Sequence, residues 1–246
     1  MAIYVYKNCK LYVDGYNLSG DMNQMNLGLS VPTFDTTTFS TTTDVFRSRI
    51  AGIKEADMKH HGFWQANSAS PQVDDVLDAS MGASKVVTIC PVTGAAGEHA
   101  WSFNSVGVDY RVLGPVGEPA DFDVSGQSTG EVIYGTVLAN QTNAAAGANG
   151  TAYNVGTALS TQRIYAALHV TSVTGVTPSL GVTIQSDTAE NFPSPQTRLT
   201  FDAKTAVGAQ WITPVAGPGA GEVWWRAVWT VSADDTFSFI VTFGII

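Results

Sequence analysis

The chain has 246 residues, 44% of them hydrophobic and only 13% charged, which excludes a disordered polymer and supplies enough apolar surface for a sizeable core. Twelve Lys and Arg against 21 Asp and Glu leave a net charge of −9, so a phosphate backbone is repelled on average and gripping nucleic acid is excluded as a mode of action. Two separated cysteines, Cys9 and Cys90, no secretory stretch in MAIYVYKNCK and no apolar run that could span a bilayer predict a product made in the cytoplasm, with reduced thiols and no membrane partner.

Strand signals dominate from the start of the chain. Segments 11–16 and 24–31 open the series, and the intervening turn chemistry is polar. Residues 33–49 then hold a threonine run, TTTFSTTT, with Phe34 before it and Phe39 within it. Threonine favours extended backbone, so this stretch reads as a polar loop or edge strand able to pair with another backbone. A strand is expected over 56–65. One helix is expected over about 70–82: Ser70 caps, Pro71 takes the first helical position, and Val73, Val76, Leu77 and Met81 follow helical spacing before Gly82.

Further strands are expected at 85–91, 99–104, 107–113 and 131–138. The bulk-poor stretch NQTNAAAGANGTA, 140–152, reads as a loop or linker, and with DVSGQSTGE before it suggests a division into 1–126 and 127–246. Beyond it, IYAALHVTSV and SLGVTIQ alternate as half-buried strands. VWWRAVWTV and TFSFIVTF, joined by SADD, predict a terminal hairpin with Trp225 and Trp229 on the apolar face and Trp224 with Arg226 on the other. The fold class is therefore mainly β, a sandwich or barrel with one short helix and a β-rich C-terminal half.

Chemistry is sparse. His60 and His61 are adjacent on a strand, so they point to opposite faces and are not expected to share a metal ion. GQSTG, 126–130, matches a nucleophile elbow around Ser128 but precedes a strand, and no Ser, acid, His order follows. DFDVSG lacks the glutamate of a calcium loop, and GPGAGE lacks the helix of a phosphate cradle. The pairs Asp74-Asp75 and Asp234-Asp235 read as solvent-exposed caps. No catalytic residue, cofactor or metal is expected; Trp224 remains as a sugar-stacking alternative, in which the chain is a carbohydrate-binding β-sandwich module.

YVDGYNLSGDMNQMNLGLS, FDTTTFSTTTDVFRSRIAGIKEADMKHHGFW and SPQVDDVLDASMG together resemble the major tail (tail tube) proteins of long-tailed bacteriophages, over residues 11 to 125. The resemblance implies a virion structural protein of the tail, whose partners are copies of itself and other tail proteins. Rings of six or three subunits stack into a tube, with DNA only as passing cargo. It implies a flanking helix and strands that continue from one subunit to the next. On this reading Phe34, Thr36, Thr37, Thr38 and Phe39 reach a neighbour, with Arg47 and Arg49 pairing acidic groups there. The C-terminal half is then a second tube-like unit or an outer decorating domain. A capsid decoration or tail-completion protein is the alternative within the same class.

Overall fold

The computed structural model describes residues 8–36, 47–65, 73–112, 114–219 and 221–246. Strands β1 (Lys10–Val13) and β2 (Tyr16–Asn17) form a hairpin, so the segment expected as one strand over 11–16 is instead folded in two. Asp14 and Gly15 have φ of 48° and 89°, both positive as a type I′ turn demands, and Asp-Gly is a preferred pair for it.

Strand β3 (Met22–Ser30) pairs with β6 (Glu55–Phe63), and between them β4 (Thr33–Asp35) and β5 (Arg49–Ala51) form a separate two-stranded arm. Helix α1 (Val73–Asp78) follows, then β7 (Ser84–Cys90), β8 (His99–Val112) and β9 (Asp121–Ser128). The helix ends at Asp78, before the expected end near 82; its expected start at 70–72 lies outside the described residues. Ser80 N and Met81 N bond back to Leu77 O and Asp78 O, three residues earlier, and Ser80 Oγ also takes Leu77 O. This tightened turn diverts Met81 from the helical face into a bridge with Gly107. The two strands expected at 99–104 and 107–113 are one, β8, with an irregularity between Gly107 and Asp109.

The remaining strands are β10 (Ile133–Ala144), β11 (Ala148–Asn149), β12 (Tyr153–Asn154), β13 (Arg163–Thr174), β14 (Leu180–Asp187), β15 (Gln196–Thr200), β16 (Gly208–Trp211), β17 (Val215–Ala216), β18 (Trp224–Val231) and β19 (Thr236–Ile245). One 12-stranded sheet runs β16-β13-β19-β10-β8-β7-β1-β2, with β9, β6 and β3 branching from β8. It curls into a nearly closed barrel, because the β1–β2 turn meets β13 and β16 through Gly15. A five-stranded sheet, β11 and β12 with β18, β14 and β15, covers the face of β10, β19 and β13.

The terminal hairpin does not form. β18 pairs with β14, β11 and β12, whereas β19 pairs with β10 and β13, so SADD carries the chain from one sheet to the other. The physical reason is that both strands present an aromatic face. Pairing edge to edge would leave both faces uncovered; crossing over stacks Trp225 on Phe243 at 4.5 Å and sets Trp229 against Phe239 at 5.6 Å. Each such buried ring contributes about 1.5–3 kcal/mol through removal from water.

Residues 140–152 are also not a linker. They finish β10, cross the sandwich edge and pair through β11 with β18. Small residues are needed there because backbone runs against backbone: a Cβ at Gly147 would lie 2.9 Å from Trp229 O, and one at Gly150 would lie 2.8 Å from Ala227 O. Trp229 Nε1 donates to Ala146 O at 3.2 Å, fixing this crossing.

Two large apolar clusters result. One joins Leu11, Val13, Met58, Val87, Phe103 and Phe122 with the α1 residues Val73, Val76 and Leu77; the other fills the sandwich around Trp225 and Phe243. A third, small cluster inside the barrel contains Tyr12, Cys90, Ala100, Val137 and Ile240.

Candidate assembly surface

The arm stands out by its exposure. Every residue of β4 and β5 is exposed, and among these Phe34 and Ile50 are each 57% accessible. Thr36 N donates to Ser48 O at 2.9 Å, and its hydroxyl meets Ser48 Oγ at 3.0 Å, extending the ladder beyond Asp35. Arg47 lies 3.8 Å from Asp35, and Arg49 is opposite Asp35 in the register. The structure thus brings Phe34, Thr36, Arg47 and Arg49 onto one arm; Thr37, Thr38 and Phe39 lie outside the described residues.

At the base of the arm is an apolar groove of about 1130 Å³ whose lining includes Leu29, Val31, Phe34, Ile53 and Ile246. Leu29 is 62% and Ile53 is 87% exposed. Exposed apolar side chains gathered around one groove make it a candidate contact surface.

Beside it lies a four-stranded sheet, β3-β6-β9-β8, with two different faces. Alternation puts Met25, Met58, His60, Phe122 and Val124 inward and Gln24, Asn26, Asp57, Lys59, His61, Asp123 and Ser125 outward. The outward face is polar throughout its centre. His61 Nδ1 meets Asp123 Oδ1 at 3.0 Å, Arg111 Nε meets Asp109 Oδ2 at 2.9 Å, and Gln127 donates to Asp57 at 3.4 Å. Five carboxylates, Glu55, Asp57, Asp109, Asp121 and Asp123, share this face with two permanent cations, Lys59 and Arg111.

Both edges of this sheet are open among the described residues. β3 pairs only with β6 along its nine residues. At the other end, β7 leaves β8 at Val106, so β8 beyond Gly107 is paired with β9 alone. Unpaired edges of this kind present free N–H and C=O groups to a further strand.

The other sequence candidates resolve individually. His60 is buried and His61 faces outward, as alternation requires. Neither ring nitrogen of His60 has a hydrogen-bond partner, and burial pushes its imidazole down to about 3. Ser128 ends β9, and its hydroxyl accepts Ala56 N–H at 2.9 Å; the chain runs on into β10, not into a helix.

Two carboxylates depart from the expectation of solvent-exposed caps. Asp74 accepts from Trp64 Nε1 at 2.9 Å and from Tyr110 Oη, tying α1 to β8. Asp235 is buried and bonded to Ser232. Trp224 is half-buried, beside an Arg226 that stacks on Phe192 at 4.1 Å and bonds Gln185. Among the described residues, no group of three or more His, Cys, Asp or Glu is arranged to hold a metal ion.

No family model and no curated protein matches the chain. Among solved structures, it is similar to a chain from the virion of a native gene transfer agent particle, with 10% identity and a TM-score of 0.43, over 54% of this chain and 98% of that one. A chain from the tail of an empty gene transfer agent particle with C6 symmetry aligns at 12% identity and a TM-score of 0.37, over 46% of this chain and 81% of that one. The Dit protein of phage SPP1, from the hub of an adsorption apparatus, aligns at 6% identity and a TM-score of 0.35, over 98% of this chain and all of that one.

Proposed function

We propose that this chain is a tail tube subunit of a bacteriophage virion, acting by self-assembly and not by catalysis. The observation that carries the reading is the four-stranded sheet with two free edges, one polar face and one core-facing side. In a ring, the β3 edge of one copy pairs with the β8 edge of the next. Such a contact is heterologous, so successive rotations close a ring of six or three copies. The outward face then lines the conduit, where its excess of carboxylates leaves passing DNA unbound.

The groove at the base of the arm and the exposed Phe34 supply the apolar part of the contact between copies, and Arg47 and Arg49 supply charge at its rim. Residues 1–126 form the tube unit in this reading, and 127–246 a second tube-like unit or an outer decorating domain. The sequence resemblance over residues 11 to 125 supports the same assignment, and with it a place in the virion tail after synthesis in the host cytoplasm.

The test is an edge-to-edge cross-link. In a Cys9→Ser background, Asn26→Cys on β3 and Arg111→Cys on β8 should give a ladder of covalent oligomers on mild oxidation. Each single variant should give at most dimers. A double variant that stays monomeric at concentrations where the parent assembles would remove the proposed pairing.

A further inference from the structure

The nearly closed barrel has one seam that no backbone ladder crosses among the described residues: the β1–β2 hairpin faces β13 and β16 without pairing to either. His169, on β13, bridges it. Its Nδ1 accepts Gly15 N–H at 3.2 Å, and its Nε2 lies 2.9 Å from Thr88 Oγ1 on β7. An acceptor at Nδ1 requires the neutral ring with its proton on Nε2, which therefore donates to Thr88. Thr88 meets Ser102 at 3.0 Å and Ser102 meets Thr242 at 2.7 Å, so the chain of bonds runs from the hairpin through β13, β7 and β8 to β19.

The fit at the turn is close. A Cβ at Gly15 would lie 2.5 Å from Gly208 N on β16, so two glycines let the hairpin approach. His169 is fully buried there.

We propose that His169 is an acid-released clasp: the seam is shut while Nδ1 accepts from Gly15, and the hairpin lifts from β13 and β16 once that nitrogen carries a proton. A proton on Nδ1 sets one donor against another and leaves a cation in a buried site, so the bond that spans the seam is lost. From the hairpin and β7, the ionisable groups facing the ring are Tyr12, at 5.8 Å between centroids, and Asp14, which is paired with Lys85 at 2.6 Å. Cys90 shares the face of β7 with Thr88, two residues further along, while β16 and β19 contain no ionisable side chain.

Burial holds the closed-state imidazole down to about 3, with Asp14 pulling the other way. In the open form the ring returns to about 6.5. Between these limits the open form binds the extra proton, and its population grows up to about tenfold for each unit of falling pH.

The test is native-state hydrogen exchange of the whole chain, in a His60→Leu background that removes the other buried imidazole. Corrected for intrinsic rates, protection of the Gly15 amide, which His169 holds across the seam, should fall about tenfold per pH unit between pH 6 and 4. Segment 180–187, in the sandwich core, should hold its protection. A His169→Gln variant, whose amide can accept from Gly15 and donate to Thr88, should show no such slope. Loss of protection at Gly15 and over 180–187 together, a flat profile for Gly15, or an equal slope in the glutamine variant would overturn the clasp. Histidine nitrogen spectra of the parent provide a readout that needs no variant at 169: a proton on Nε2 at pH 7 is expected, and a proton on Nδ1 would overturn the proposal.

Discussion

Replacing His60 by Leu should make the protein more stable, although His60 sits in the core. The side chain points inward between β3 and β9, edge-on to Phe122 at 5.7 Å, with both nitrogens unpartnered. A buried polar group in that state costs about 1–3 kcal/mol, which an apolar side chain of similar volume recovers. The pH dependence adds a second, independent quantity. The folded-state pKa, lowered to about 3, lies below the unfolded value near 6.5, so the unfolded chain binds the proton between them. Stability associated with His60 is thus fully present above pH 6.5 and is lost as pH falls toward 3. At pH 5 the loss is about 2 kcal/mol. The variant is spared that loss, so its advantage should widen from about 1–3 kcal/mol at pH 7.5 to about 3–5 kcal/mol at pH 5. Urea unfolding followed by tryptophan fluorescence at the two pH values measures both numbers. A variant less stable than the parent at pH 7.5, or a gap that does not widen at pH 5, refutes the reasoning.

Two further substitutions of different kinds follow. Gly15→Ala should cost at least about 2 kcal/mol in thermal unfolding, combining a strained positive φ with the contact on Gly208. Gly219→Ala, at φ +101° with nothing within 4 Å, should cost about 1 kcal/mol from strain alone; equal costs would show that the Gly15 contact is unimportant. Deleting residues 34–43 should leave a folded monomer by circular dichroism and sedimentation that no longer assembles. Tubes of normal length from that deletion would remove the arm from the contact between copies.

Much of the fold was legible because alternation is a local signal. β6, β14 and β18 alternate in burial as their own residues do, whereas β13 and β19, expected as half-buried, are buried on both faces over 164–170 and 239–244 because the barrel covers one face and the second sheet the other. What alternation does not encode is the partner. VWWRAVWTV and TFSFIVTF read as a hairpin because they are adjacent and alike, yet their partners lie on β14 and β13, and the contact between them is face to face. The 140–152 stretch misled for a related reason: few bulky residues signal a loop when nothing is known of the tryptophan they pack over. Asp14-Gly15, flanked by Val13 and Tyr16, carries a type I′ turn signature in its own two residues, which divides the 11–16 stretch into two strands.

The proposed assembly surface was visible only in part. Phe34, Arg47 and Arg49 announce themselves by composition, whereas the free edges of β3 and β8 exist only once the other strands have been placed. His169 gave no signal at all. It sits in an apolar run, and its partners Gly15, Thr88 and, beyond them, Thr242 come from distant parts of the chain.

Electron microscopy of the purified chain across a concentration series tests the central claim most directly. Rings, or hollow tubes built from stacked rings, are the predicted result, with β3 of each subunit lying along β8 of the next in an averaged map. Isolated single particles at every concentration, or assemblies in which those two strands face solvent, would contradict it.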